Sequence, residues 1–546
     1  MSDLAAQRRF GERVARRVQE ARRDLLPRLF ARDVTLWQTD DGGTREVADR
    51  LGWLDLPYSM EAHRAEVEGF AAEVRAAGFR RVLLLGMGGS SLAPDVFGRL
   101  LGGGPGALGL TVLDTTDPGA ILDAEAAGDL ATTFFLVSSK SGGTVEPNAL
   151  AAYFLARTGG NGAQFAAITD PGSSLAALAA ARGFRHTFLN PPDVGGRYSA
   201  LSLFGLVPAA LVGVDVGRVL ASGRRAREEC SESDGLPGQR AARLAACLAT
   251  GVEEGRDKLT LLMPRETEPF GSWVEQLVAE STGKHGIGVL PVVGEPMRDA
   301  AAYGTDRVFV ALAPTGEAGA TVQRALSALA KAGHPALALP FDPAAELGGA
   351  FVEWEIATAL AGVWLRINPF DQPNVAESKA NTDAVLARFA RGESPPADGA
   401  ASDRGALACR LAAWRGALRP GDYVAILAYL APSPDHDAWL DRLRAVIGQA
   451  TGAAITVGYG PRFLHSTGQL HKGGPATGAF LQVETTDARD AAVPGAGYTF
   501  GRLKLAQALG DLAALEGRKR NVVRVRLPEG DLPVLEGALA DALGRA

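Results

Sequence analysis

Five groups of polar residues interrupt otherwise apolar stretches of this chain, and two of them fit the binding of a phosphate. The first is Gly86-Met87-Gly88-Gly89-Ser90-Ser91, which follows the apolar run 82–85. The second is Ser138-Ser139-Lys140-Ser141-Gly142-Gly143-Thr144, which follows 134–137 and leads through Glu146 into a helical stretch. Side-by-side turns at the carboxyl edge of a parallel sheet aim free backbone N–H groups and a helix dipole at one spot, which favours an oxyanion. Gly88, Gly89 and Ser90 in the first turn and Ser139, Ser141 and Thr144 in the second are the candidate phosphate contacts, with Lys140 adding charge. A lone turn of this kind reads equally well as a helix cap, and the pair is what points to a ligand. Neither turn has the Gly-Lys-Ser/Thr ending of a nucleotide-triphosphate loop.

The other three groups offer acid–base and charge-stabilising chemistry. Arg197 stands on the glycine-framed loop Asp193-Val194-Gly195-Gly196-Arg197-Tyr198-Ser199; a guanidinium keeps its proton and can stabilise a developing oxyanion. In the stretch 273–284, Gln276 and Glu280 are four apart and share a helical face, and Glu280 falls where Gly283 ends the helix. A carboxylate at a helix C-terminus opposes the dipole, an arrangement suited to a general base. The stretch 368–379 is a loop punctuated by Pro369 and Pro373 that carries Gln372 and leads into a helix bearing Lys379.

These groups need rigid elements behind them, and the chain supplies the pattern of an α/β protein. Apolar runs at 82–85, 110–113, 134–137 and 165–168 alternate with Ala-rich helical stretches, which implies βαβ units and a buried parallel sheet. After the polar loop 231–238 the rhythm restarts with strands expected at 259–263, 308–312 and 336–339. A linker rich in Pro, Ala, Gly, Ser and Asp spans 392–405; beyond it strands are expected at 423–427, 455–457, 480–483 and 522–525. The expected domains are a helical arm at 1–55, sheet domains at 56–230 and 231–395, and a third α/β domain at 396–546. In the arm, Phe10, Val14, Val18 and Leu25 recur at near-helical spacing, as in an amphipathic helix lying on the body.

The totals narrow the function. At 546 residues the chain exceeds what one core normally supports. A net charge of only −6, with no basic block, gives no footprint for nucleic acid. Cys230, Cys247 and Cys409 are its only cysteines and show no CxxC spacing, so neither a disulfide framework nor a zinc site is expected. No apolar run reaches the length of a membrane span, and the arm lacks the h-region of a signal peptide. A cytoplasmic protein with neither a nucleic-acid nor a membrane partner is expected.

Taken in order, GMGGSS, SSKSGGTVEP, GGRYS, WVEQLVAESTGK and NPFDQPNVAESK resemble the phosphoglucose isomerase family over roughly residues 50–390. The resemblance implies two sugar-isomerase (SIS) domains, flavodoxin-like parallel sheets with helices on both faces, followed here by the C-terminal α/β domain. It implies interconversion of glucose 6-phosphate and fructose 6-phosphate, an isomerase step of glycolysis and gluconeogenesis, without metal or organic cofactor; relatives often form a homodimer with active-site residues contributed across the interface, a role the terminal domain could instead fill within one chain. By position, Ser90, Ser139, Ser141 and Thr144 match the phosphate turns, with Lys140 inside the second and Glu146 its trailing carboxylate. Arg197 matches the enediolate-stabilising arginine, Gln276 and Gln372 two active-site glutamines, Glu280 the base and Lys379 the lysine near the ring oxygen. A sugar-phosphate sensor would need only the phosphate turns, so Glu280 and Arg197 weigh against it; acceptance of mannose 6-phosphate as well is left open.

Three features depart from that pattern. Asn374-Val375-Ala376 stands where the family often has Gly-Val-Glu, and Asn tolerates the left-handed backbone such a turn would require. The histidine expected in a helix after the base has no counterpart between His285 and His334. The third feature is the terminal domain, whose residues 456–482 look like the isomerase half of bifunctional transaldolase/phosphoglucose isomerases. Its stretch 458–474 is expected to be a long loop, a lid on which His471 or His465 supplies the ring-opening acid, unless Lys379 does so alone.

Overall fold

The computed structural model describes residues 2–37, 41–104, 106–232, 236–314, 316–393 and 403–544. Among them, strands β1 (Arg81–Gly86), β2 (Gly109–Leu113), β3 (Thr133–Ser138), β4 (Phe165–Thr169) and β5 (His186–Leu189) form a sheet in the order β2-β1-β3-β4-β5. A second sheet, β7-β6-β8-β9, is built from β6 (Lys258–Leu262), β7 (Leu290–Val292), β8 (Arg307–Ala313) and β9 (Ala336–Pro340). The third, β11-β10-β12-β13, uses β10 (Tyr423–Tyr429), β11 (Ala454–Tyr459), β12 (Gly478–Thr486) and β13 (Asn521–Pro528). All neighbouring strands are parallel. β3, β8 and β10 are buried along their whole length, which is why they read as unbroken apolar runs rather than alternating ones.

The expected strands are all present. Two more, β5 and β7, complete the edges: β5 is half-exposed and carries His186, and β7 is three residues long with a central Pro291. Pro lacks an N–H and is tolerated at an edge.

The chain divides into two compact units. One comprises residues 1–114, 128–294 and 307–372 and holds the first two sheets; the other comprises 115–127, 295–306 and 373–546 and holds the third. The first two sheets share a unit because their inner faces feed one apolar cluster, with Val82 and Leu136 from one and Leu259 and Val310 from the other. A separate cluster, including Val424, Leu443, Leu481 and Val525, fills the third sheet's unit.

The boundary expected between 395 and 396 falls instead between 372 and 373. The helix Val375–Ala390 goes with the third sheet because Phe389 packs with Leu505 and Ala506 of the helix Phe500–Gly517. Nearby, the Asn381 side chain donates to the Gly510 carbonyl at 3.3 Å. Of the expected linker 392–405, residues 394–402 lie outside the described residues, as do 233–235 of the loop 231–238.

The arm begins with the helix Ser2–Glu20, whose Phe10 is buried and whose Val14 and Val18 pack against the core, as the spacing implied. Arg17 donates to Thr250 Oγ1 at 2.8 Å and pairs with Glu253 at 2.6 Å, fixing the arm to the helix Leu236–Glu253. Among the described residues no helix is long and apolar enough to cross a membrane.

Candidate active site

The two expected turns leave adjacent central strands at the same level, since Gly86 of β1 is in register with Ser138 of β3. Gly88 has φ +55° and Gly142 +67°, so both turns need a left-handed residue. The second turn is pinned by Asn148 Nδ2 and Ser174 Oγ, each donating to the Gly142 carbonyl at 2.9 Å. Ser139 Oγ donates to Thr144 Oγ1 at 3.3 Å, and Thr144 precedes the helix Val145–Arg157, in whose first turn Glu146 is buried. Ser90 and Ser139 are buried, whereas Ser141 is exposed and accepts the Gly143 N–H at 3.2 Å. Lys140 pairs with Asp170 and donates to the Pro192 carbonyl at 2.8 Å, so its charge is balanced and its ammonium braces the approach to the Arg197 loop.

That loop is held from several sides. Leu51 bridges Val194, Gly52 N–H donates to the Asp193 carbonyl at 3.0 Å, and Trp53 packs on Tyr198 with ring centroids 5.1 Å apart and ring planes tilted by 33°. Gly89 meets Gly196 so closely that a Cβ on Gly89 would lie 1.9 Å from the Gly196 oxygen. A glycine is therefore required for the first turn to reach the arginine loop.

Arg197 is 3 % exposed, and its guanidinium organises the centre of the site. Nε donates to Ser281 Oγ at 2.8 Å, Nη1 to Gln372 Oε1 at 2.9 Å, and Nη2 to the carbonyls of Pro369 and Asp371 at 2.7 and 2.9 Å. Nη1 also lies 3.2 Å from Glu280 Oε1. On the other side of that carboxylate, Gln276 Nε2 donates to Oε2 at 3.2 Å. Glu280 and Gln276 sit on the helix Glu268–Thr282, ended at Gly283 as expected. The sequence-identified set Arg197, Gln276, Glu280 and Gln372 is thus one contiguous cluster.

Lys379, His465 and His471 belong to the other unit. Lys379 is exposed on its helix, and His465 is half-buried at the end of a 3-10 turn. The expected lid is not an open loop: it folds into Arg462–His465 and the short helix Gly468–Gly473, with Gln469, His471 and Lys472 buried. His471 is 2 % exposed, ringed by Tyr423, Phe463 and Phe480, and neither ring nitrogen has a hydrogen-bond partner. Burial pushes its pKa well below the ordinary histidine value, so the ring is neutral core material rather than a solvent-facing acid. Asn374 has φ −93°, an ordinary right-handed value, so a left-handed turn is not what places it there. Among the described residues no group of three or more His, Cys, Asp or Glu side chains converges as a metal site would require.

A glucose-6-phosphate isomerase of Rubrobacter xylanophilus is 30 % identical over 424 residues, which cover 67 % of this chain and 93 % of the relative. This chain belongs to the glucose-6-phosphate isomerase family. A Synechococcus glucose-6-phosphate isomerase is 31 % identical over 68 % of this chain and 82 % of its own length. The match to a 35 % identical glucose-6-phosphate isomerase of Trichormus variabilis covers 40 % of this chain and only 44 % of that relative, less than half its length. Among solved structures, a hypothetical protein of Thermus thermophilus superposes with a TM-score of 0.59 at 27 % identity, covering 69 % of this chain and 97 % of that one. No family model matches the chain.

Sequence reasoning missed one residue beside the cluster of this glucose-6-phosphate isomerase family member. Lys284, fully buried, donates from Nζ to the carbonyls of Asn368 and Asp371 at 2.5 and 2.6 Å and to Asp371 Oδ1 at 2.5 Å. Burial, reinforced by the neighbouring Arg197 charge, pushes its ammonium down to about 7. Lys284 and Arg197 hold the same loop, 368–372, from two points. The only available signal was that Lys284 ends the 273–284 motif.

Proposed function

We propose that the chain interconverts glucose 6-phosphate and fructose 6-phosphate, with Glu280 as the base that takes the C2 proton and returns it to C1. The observation that carries this reading is the carboxylate of Glu280 held between the Arg197 guanidinium and the Gln276 amide, each 3.2 Å from one of its oxygens. An aldose and a ketose differ by one carbon-bound proton and one oxygen-bound proton, so one carboxylate that reaches both carbons can move the proton from C2 to C1.

The arginine supplies the charge balance. A guanidinium has five N–H groups. Four are engaged by Ser281, Gln372, Pro369 and Asp371, leaving one on Nη1, the nitrogen nearest Glu280. When Glu280 gains a proton it loses its charge, the negative charge passes to the sugar oxygen as an enediolate, and that N–H is free to follow it. The phosphate takes the paired turns, where Lys140 can exchange Asp170 for the incoming oxyanion. Ring opening is assigned to Lys379, on its match to the family's lysine near the ring oxygen, or to the half-buried His465, rather than to the enclosed His471. A homodimer belongs to the same reading and is checked by sedimentation equilibrium.

A coupled assay of fructose 6-phosphate conversion tests the proposal. Glu280→Gln keeps the shape and the Gln276 contact yet removes the base, so kcat falls by about 10²–10⁴-fold with sugar-phosphate binding retained. Undiminished turnover in that variant sinks the assignment; tight binding without turnover in the unaltered chain would favour a sensor.

A further inference from the structure

We infer that Gln469 is a positioning residue that fixes the start of the Lys379-bearing helix by gripping Asn374. Its amide Oε1 accepts the backbone N–H of Asn374 at 2.9 Å, and its Nε2 donates to Asn374 Oδ1 at 2.8 Å. Two antiparallel hydrogen bonds to one residue fix that residue's backbone and side chain together. Gln469 is itself fully buried and Asn374 half-buried, so the bonds are shielded from water on the Gln469 side.

Asn374 is the residue before the helix Val375–Ala390, where an Asn side chain ordinarily accepts an N–H from the first turn. Here it makes no such cap bond. Its amide is committed to Gln469 instead, and its backbone needs no special conformation. This gives a physical reason for an Asn at a position where glycine was the expected residue.

The platform behind Gln469 is rigid. The neighbouring Lys472 pairs with Asp511 at 2.7 Å, both side chains being nearly inaccessible. Arg520 closes the end of the short helix by donating to the carbonyls of His471, Lys472 and Gly474 at 3.1, 3.1 and 2.9 Å. Further along the Lys379 helix, Glu377 pairs with Arg518 and Asn381 donates to Gly510, so its first turns are tied to the same body. The conspicuous stretch 465–474 thus serves through its glutamine, while His471 packs the interior.

The inference rests on Lys379 taking part in the proposed isomerisation, and the experiment separates the two claims. Turnover of fructose 6-phosphate is measured for Gln469→Leu, Asn374→Ala, Asn374→Asp and Lys379→Ala, and for Gln469→Leu combined with Lys379→Ala. A side chain displaced by about 1 Å can lose on the order of 10²-fold in rate, so Gln469→Leu is expected to lower kcat ten- to a hundredfold while KM changes less than threefold. Asn374→Ala, which keeps the backbone bond, falls between that variant and the unaltered chain. Asn374→Asp preserves the acceptor and retains most of the activity. In the Lys379→Ala background, Gln469→Leu costs nothing further. Equal losses in both backgrounds would reveal a merely structural role and overturn the inference, as would full activity of Gln469→Leu beside an impaired Lys379→Ala. Full activity of Lys379→Ala would instead remove Lys379 from the reaction, and the inference with it.

Discussion

Replacing Lys284 by Met tests whether the loop 368–372 is held in place by charge. The side chain is buried and of similar volume in the variant, so the change removes three hydrogen bonds while leaving the packing nearly intact. Asn368 is 2 % exposed, so its carbonyl loses its partner where water does not replace it. The Asp371 side chain is 21 % exposed and recovers part of its hydration. An orphaned buried acceptor costs about 1–3 kcal/mol and a broken, fully buried ion pair about 3–5 kcal/mol; with Asp371 partly wet, a net loss of about 2–4 kcal/mol follows. For an m-value of about 3 kcal/mol/M this lowers the urea midpoint of the first unit by roughly 1 M, at unchanged slope. Catalysis suffers separately, because Arg197 alone then holds the loop through Pro369 and Asp371 while Gln372 drifts from its Nη1. Urea unfolding followed by tryptophan fluorescence, alongside the coupled assay, reads both effects. An unchanged midpoint together with an unchanged kcat would refute the idea that Lys284 organises the site.

Two other perturbations probe the turns and the buried histidine. Gly89→Ala puts a methyl into the Gly196 carbonyl, so kcat/KM for the sugar phosphate should fall at least a hundredfold; Gly69→Ala, with open space around it, serves as the silent control. His471 has a depressed pKa in the fold, so below the ordinary value near 6.5 the unfolded chain binds more protons than the folded one. The stability it contributes is therefore complete above pH 6.5 and is lost as pH falls through that window, by up to about 1.4 kcal/mol per pH unit. His471→Phe suits the aromatic surroundings and should abolish that component. Identical acid dependence of the two proteins, measured as a difference in unfolding free energy between pH 7 and 5, would contradict the burial argument.

The sequence made the central strands legible because strands buried on both faces are nearly uniform in composition, as in Leu83-Leu84-Leu85 or Phe134-Phe135-Leu136-Val137. Edge strands lack that signature: β5 carries His186 and Thr187, and β7 is interrupted by Pro291. The cluster of Arg197, Gln276, Glu280 and Gln372 was legible by motif, since each group sits where a helix or strand ends. Lys284 was not, because two of its three partners are backbone carbonyls 84 and 87 residues further on, which have no sequence signature, and the third is the distant Asp371 carboxylate. His471 misled for the opposite reason. A histidine among Gly, Ser and Lys reads as exposed, yet Tyr423 and Phe480, which enclose it, come from other parts of the chain.

Strand order shows a repetition that residue identities hide. Taking the strands of each sheet in chain order, all three sheets place the second outside the first, then the third and the fourth on the other side. In the first two sheets, the segment that follows the second strand leaves its own unit: 115–127 after β2 and 295–306 after β7 both fold with the third sheet. Each is held there by buried charge. Asp117 pairs with Lys504 at 2.7 Å, and Lys504, 4 % exposed, also meets Asp487 just beyond β12. Arg298 donates to the carbonyls of Gly448 and Ala453 at 3.0 and 2.8 Å, while Glu295 accepts the Ile455 N–H at 3.2 Å. The corresponding segment of the third sheet, after β11, is the stretch that carries His465 and Gln469 and stays within its own unit. The same topological position is thus used three times for a long excursion. Uncompensated buried charges are costly, so these pairings specify where the first two excursions must settle. Hydrophobic burial alone would fix that less sharply.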